Sequence, residues 1–141
     1  MRPTKHGSDS RQYYDWLEIA ARDLLAAKVL IEQDLCFGIA GFHCQQGMEK
    51  AFKAYIIAQT GMLVDGHNLT WLCRQARRYH PAFGQWMDDT AEMNRLYIET
   101  RYPSDIDLNL TPEAVQKIYQ TAQAVYDFVC DEVYSDLPDE E

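Results

Sequence analysis

Apolar residues recur every three or four positions along almost the whole chain, and that spacing admits one class of fold. An α-helix brings residues i, i+3, i+4 and i+7 onto one face. Trp16, Ala20, Leu24, Ala27 and Ile31 make a first stripe, with Ser8 or Ser10 placed to cap its start. Ile39, Phe42, Gln46, Ala51 and Ala54 belong to a second segment that Gly61 can close, and Asp65-Gly66 turns the chain. Leu69, Leu72, Cys73 and Ala76 predict a short amphipathic helix ended near Pro81. Trp86, Thr90, Met93 and Tyr97 give a fourth stripe, which must finish before Pro103. The last helix has the plainest start, with Thr111 as cap, Pro112 at the first helical position and Glu113 against the positive end of the dipole. Val115, Ile118, Ala122, Val125 and Val129 carry it on. Nothing alternates with period two and no N-G or D-G turn joins two β-branched runs. The spacing therefore predicts an all-α fold, an up-down antiparallel bundle of four to five helices with short connections.

The 141 residues suit one domain, and 47% apolar with 25% charged residues is ordinary globular composition. The expected organisation is a flexible N-terminus over 1–12, a helical bundle over 13–134 and an acidic tail over 135–141. Net charge is −9, but six acids fall in 131–141, so residues 1–130 carry only −3 and a local basic site is not excluded. No apolar run is long enough to span a bilayer and no secretory leader is visible, so the expected setting is cytoplasmic, with no membrane partner. Cys36, Cys44, Cys73 and Cys130 include no C-x-x-C pair, which reads as free thiols and no metal site. Phosphate-loop, G-x-S-x-G and H-E-x-x-H signatures are absent, and no cofactor is expected.

Three constellations carry chemistry. Arg101-Tyr102-Pro103 ends the fourth helix, offering a planar fork of donors for phosphate beside a stacking ring, or simply a helix stop with Arg101 against the negative dipole end. In the second helix Gln46, Lys50 and Lys53 share a face with His43, and Glu49 is spaced to pair with Lys53. That face suits an anion held between helices, a solvated surface or a buried polar patch. Whether Asp23 and Glu49 are buried and paired is open at this point. Trp71 with Arg74, Arg77 and Arg78 makes a basic, partly aromatic face, because no acid occurs from Gly66 to Met87. Such a face can hold single-stranded RNA or balance a neighbouring acidic surface. His67 is placed to cap or brace the third helix. Arg74 and His80 have a catalytic-looking separation, but six residues on a helix point them apart.

Together these segments resemble the HEPN family. The likeness runs from about Tyr14 to Val133 and rests on four pieces in order. These are Trp16 to Leu24, Phe42-His43-Cys44-Gln45-Gln46 leading to Glu49–Ala54, His67-Asn68-Leu69, and Arg101-Tyr102-Pro103. The resemblance implies a commonly dimeric bundle with a polar groove, linked to nucleotide or RNA binding and often encoded beside a small nucleotidyltransferase in toxin–antitoxin or defence pairs. Active members are metal-independent endoribonucleases using an arginine, four to six residues, then a histidine. Here Arg101 is followed by Tyr102, Pro103, Ser104, Asp105, Ile106, Asp107 and Leu108, with no histidine, which marks the Arg-Tyr-Pro branch.

The resulting expectation is a HEPN-type homodimer binding a nucleotide, RNA or a nucleotidyltransferase partner. Arg101, Tyr102 and Pro103 would meet the ligand, supported by Lys50, Lys53, His43 and His67. A homodimer also follows from the apolar residues near the fourth helix (Phe83, Trp86, Met87, Met93, Tyr97), which exceed what one thin helix needs. The alternatives are a weak metal-independent endoribonuclease using Arg101 with a histidine from elsewhere, and a purely structural interaction module.

Overall fold

A computed structural model describes residues 10–97 and 110–135, with the side chain of Tyr97 excepted. Five α-helices occur among them: α1 Tyr13–Glu32, α2 Phe37–Thr60, α3 Leu69–Arg77, α4 Met87–Tyr97 and α5 Pro112–Tyr134. A 3-10 segment, Pro81–Trp86, links α3 to α4. The fold is all-helical, as the periodicity requires.

The stop and start signals act as their chemistry dictates at most ends. Gly61 closes α2 at φ 72°, a left-handed conformation that costs a residue with a Cβ. Thr111 caps α5 by accepting from the Ala114 amide at 3.1 Å, with Pro112 behind it. Asn68, rather than His67, caps α3, accepting from the Trp71 amide at 2.8 Å. The start of α1 corrects the expected serine cap. Gln12 holds the cap position, and Ser10 Oγ is drawn to Asp15, donating to its Oδ2 at 2.6 Å while accepting from the Gln12 amide. Pro81 also does more than end α3. It opens the 3-10 segment, whose first free amide, that of Ala82, donates to His80 Nδ1 at 3.2 Å.

A four-residue link returns the chain from α1 to α2, so the two helices are antiparallel. They come close where Gly47 faces Leu24: a Cβ on Gly47 would stand 3.1 Å from Leu24 Cγ. At the far end of the chain, Tyr134 meets Tyr13 with ring centroids 5.8 Å apart, so α5 also runs against α1. The helices α2 and α5 therefore run the same way.

Every expected core residue of α3 (Leu69, Leu72, Cys73, Ala76) is fully buried, and α5 buries Val115, Ala122, Val125 and Val129. The stripe read for α2 is only half right. Ala51 and Ala54 are buried, but Ile39, Phe42 and Gln46 are partly exposed, and the core is met by Ala40, Cys44, Met48, Phe52 and Tyr55. A central helix packed by α1 on one side and α5 on another has no single apolar stripe to read. The aromatic residues before α4 correct a second expectation. Phe83 is wholly buried against Tyr55, Phe128, Trp86 and Phe52, with ring centroids 4.6 to 6.0 Å away. Trp86 and Met93 are buried too, so these three residues are spent on the chain's own core and do not argue for a dimer; Met87 is partly buried, and the Tyr97 side chain lies outside what is described.

Candidate functional site

The polar side of α2 is a buried strip bonded from end to end. Asp23 on α1 anchors one end. Its Oδ1 lies 3.0 Å from His43 Nδ1, and its Oδ2 accepts from Lys50 Nζ at 2.9 Å. Lys50 also donates to Gln46 Oε1 at 3.1 Å, Gln46 donates to Gln45 Oε1 at 2.7 Å, and Gln45 donates onward to Glu49 Oε1 at 3.4 Å. Glu49 Oε2 closes the far end, accepting from Lys53 Nζ at 3.1 Å and lying 2.8 Å from His67 Nδ1. Lys53 Nζ sits 5.5 Å from the centroid of the Trp16 ring. Two carboxylates face two ammonium groups, so the strip is neutral while its imidazoles are neutral. Among the described residues no buried side-chain nitrogen or oxygen lacks a hydrogen-bond partner.

Of the three roles open to this face in the sequence, the buried polar patch describes most of it. Lys53 and Glu49 side chains are only 6% and 5% exposed. Lys53 therefore holds Glu49 from inside and does not reach the surface. His43 (31%), Lys50 (21%) and above all His67 (70%) form the accessible edge. An ionised carboxylate can only accept, so each imidazole gives its Nδ1–H to the acid and keeps the Nε2 lone pair free. The arrangement holds two oriented imidazoles at the surface, each backed by a carboxylate, ready to accept a proton or, once protonated, to donate to an anion.

The sequence left open whether Asp23 is buried and paired, and it did not single out Gln45 as a member of the strip; both belong to it. The available signal was position: Asp23 stands beside Leu24 and three residues from Ala20, so it borders a buried stripe. Arg101, Tyr102 and Pro103 lie outside the described residues. The Arg74 and His80 pair is not brought together for catalysis. Arg74 is exposed, whereas His80 packs on Phe128 and lies 3.7 Å from Glu132.

The thiols are free. Burial pushes Cys44 up to about 12, with Asp23 adding to the shift, and burial raises Cys73 to about 11 against the pull of Arg77 and Arg74. Neither is a nucleophile near neutral pH. Among the described residues no three histidine, cysteine, aspartate or glutamate side chains are grouped to hold a metal. No described helix is long and apolar enough to cross a membrane.

The fold and strip define a small antiparallel helical domain with a polar face between its first two helices. The HEPN domain model matches residues 13–133, and the chain belongs to the HEPN family. The crystal structure of an archaeal HEPN homologue is similar at a TM-score of 0.67 and 21% sequence identity, over 86% of this chain and 98% of that one. At that identity the likeness speaks for the fold. No curated protein matches the chain.

Proposed function

We propose that this protein binds RNA or a nucleotide at the accessible edge of the α2 strip, as the partner of a nucleotidyltransferase in a toxin–antitoxin or defence pair. The observation that carries the reading is the pair of imidazoles that reach the surface, His43 partly and His67 openly, each fixed through Nδ1 by a buried-side carboxylate. Beside His43, the partly exposed Lys50 ammonium shares the same Asp23 carboxylate at 2.9 Å and adds a cation for a phosphate oxygen. Arg101, Tyr102 and Pro103 complete the site in this proposal, Arg101 toward phosphate and Tyr102 toward a base. A homodimer is part of the proposal through family membership, and sedimentation at tens of micromolar tests it.

One specific feature favours a second reading, a metal-independent endoribonuclease. Cleavage through the 2′-hydroxyl needs a base for that oxygen and a cation for the phosphorane. A carboxylate-backed imidazole meets the first need without the histidine missing after Arg101, and Arg101 would meet the second. The test is labelled single-stranded RNA incubated with EDTA beside Arg101→Ala, His43→Ala and His67→Ala, read by gel and by filter retention. Retention lost in the variants supports the binding site. Cleavage that survives EDTA and fails in Arg101→Ala and one histidine variant makes the protein an enzyme. Retention unchanged in all three overturns the site.

A further inference from the structure

The outward face of α3 has charges that no other described residue answers. Leu69, Leu72, Cys73 and Ala76 are fully buried, which fixes the rotation of this helix and forces the opposite side into solvent. On that side Trp71, Arg74, Gln75 and Arg78 follow one another at helical spacing, a ridge about 10 Å long. Trp71 is 37% exposed, and Tyr79, just beyond the ridge, is 48% exposed. Among the described residues no carboxylate lies within ion-pair distance of Arg74, Arg77 or Arg78. The contrast lies within the same chain. Arg22 is tied to Glu18 and Arg95 to Glu92. Among the described residues of a protein of net charge −9, these three arginines thus have no carboxylate partner.

Two of them are also braced. Arg78 Nη1 donates to Gln75 Oε1 at 3.2 Å. The Arg77 stem lies across Gly84, where a Cβ would stand 3.2 Å from Arg77 Cδ. Bracing lowers the ordering cost of engaging a ligand.

We infer that this ridge is a docking surface for a single-stranded polynucleotide, with the arginines on the phosphodiester backbone and a base stacked on Trp71. Unpaired guanidinium forks match phosphate oxygens, and an exposed indole among them suits the π-face of any base. An acidic peptide would satisfy the charges but leave the indole unused. The surface also joins the strip, because His67, bonded to Glu49, stands two residues before the first residue of α3. A strand lying along α3 toward its N-terminus therefore arrives at an oriented imidazole. The inference rests on the RNA reading for its ligand class and on different residues for its site.

The test uses the full chain with short fluorescein-labelled oligouridylate and oligothymidylate, followed by anisotropy against salt. Wild type should bind one or both, the two arms separating RNA from DNA. Trp16 and Trp86 are buried at 4% and 7%, so quenching of tryptophan emission reads Trp71 and should vanish in Trp71→Phe. The double variant Arg74→Gln/Arg78→Gln should lose affinity about tenfold, with the slope of log K against log salt shallower by about 1.4. Full affinity in that double variant overturns the inference, even if His43→Ala binds poorly and the strip reading survives. Loss in the double variant with none in Arg101→Ala, His43→Ala or His67→Ala supports the ridge and removes the strip. Wild type that ignores both oligonucleotides but retains a polyglutamate peptide overturns the inference in favour of an acidic protein.

Discussion

The two basic faces of this protein, the lysines of α2 and the arginines of α3, look alike as letters and behave oppositely in space. Lys50 and Lys53 turn inward and meet Asp23 and Glu49. Arg74, Arg77 and Arg78 stay outside with no carboxylate beside them among the described residues. Taking a charge out of water costs several kcal/mol unless a partner stands in place, so the buried face had to be neutralised within the fold. Water meets that requirement for the exposed face, and nothing inside the molecule need answer it. The lysines accordingly speak about architecture, and the arginines speak about what the protein touches.

If that division is right, variants on the two faces should separate stability from binding. The largest effect is expected at Glu49. Glu49→Ala leaves Lys53 buried and unpaired and should cost about 3–5 kcal/mol in urea unfolding, whereas a loss below about 1 kcal/mol would mean that water reaches the strip. The double variant Glu49→Leu/Lys53→Met should recover most of that loss, because a buried pair exchanged for apolar groups of similar volume is often neutral. Next comes alkaline pH. Cys44 and Cys73 ionise near 12 and 11 in the folded protein and near 9 when unfolded. Above about pH 9 the unfolded state loses these protons first, so stability should fall as pH rises through 9 to 12, and a Cys44→Ala chain should fall less steeply. Below pH 9 both states keep the protons and no dependence arises from them. Asp23→Asn should cost less than Glu49→Ala, about 1–2 kcal/mol, because Lys50 can turn to solvent. The smallest effect belongs to the ridge. Arg74→Gln/Arg78→Gln should change thermal stability by no more than about 0.5 kcal/mol, so any loss of oligonucleotide binding there is a surface effect.

Much of the helical order was readable because local chemistry decides it. The stripe in α5 and the Thr111-Pro112 start depend on residues a few positions apart, and they stand where the spacing put them. Gly61 ends α2 for a reason contained in its own missing side chain. Legibility failed where two elements compete for one group. Ser10 was free to cap α1 but bonds Asp15 instead. Phe83, Trp86 and Met93 looked surplus because a stripe on one helix says nothing of how many neighbours will cover it. For the site, the Glu49 to Lys53 pair was legible as an i, i+4 spacing. Its depth, and the arrival of His67 from a different segment, were not.

From the sequence alone follow the helix count to within one, the residues that start and stop most helices, and the family. Each of these is set by interactions within a turn or two, or by motifs in fixed order. Tertiary structure alone decided that α2 is buried on several faces at once, that Asp23 on α1 is the partner of both His43 and Lys50, and which basic residues remain unmatched among the described residues. Charges are identical in the sequence string whether they end in water or in the core. Only packing sets their solvation, and solvation determines whether a charge must be neutralised by the fold or is left for a partner.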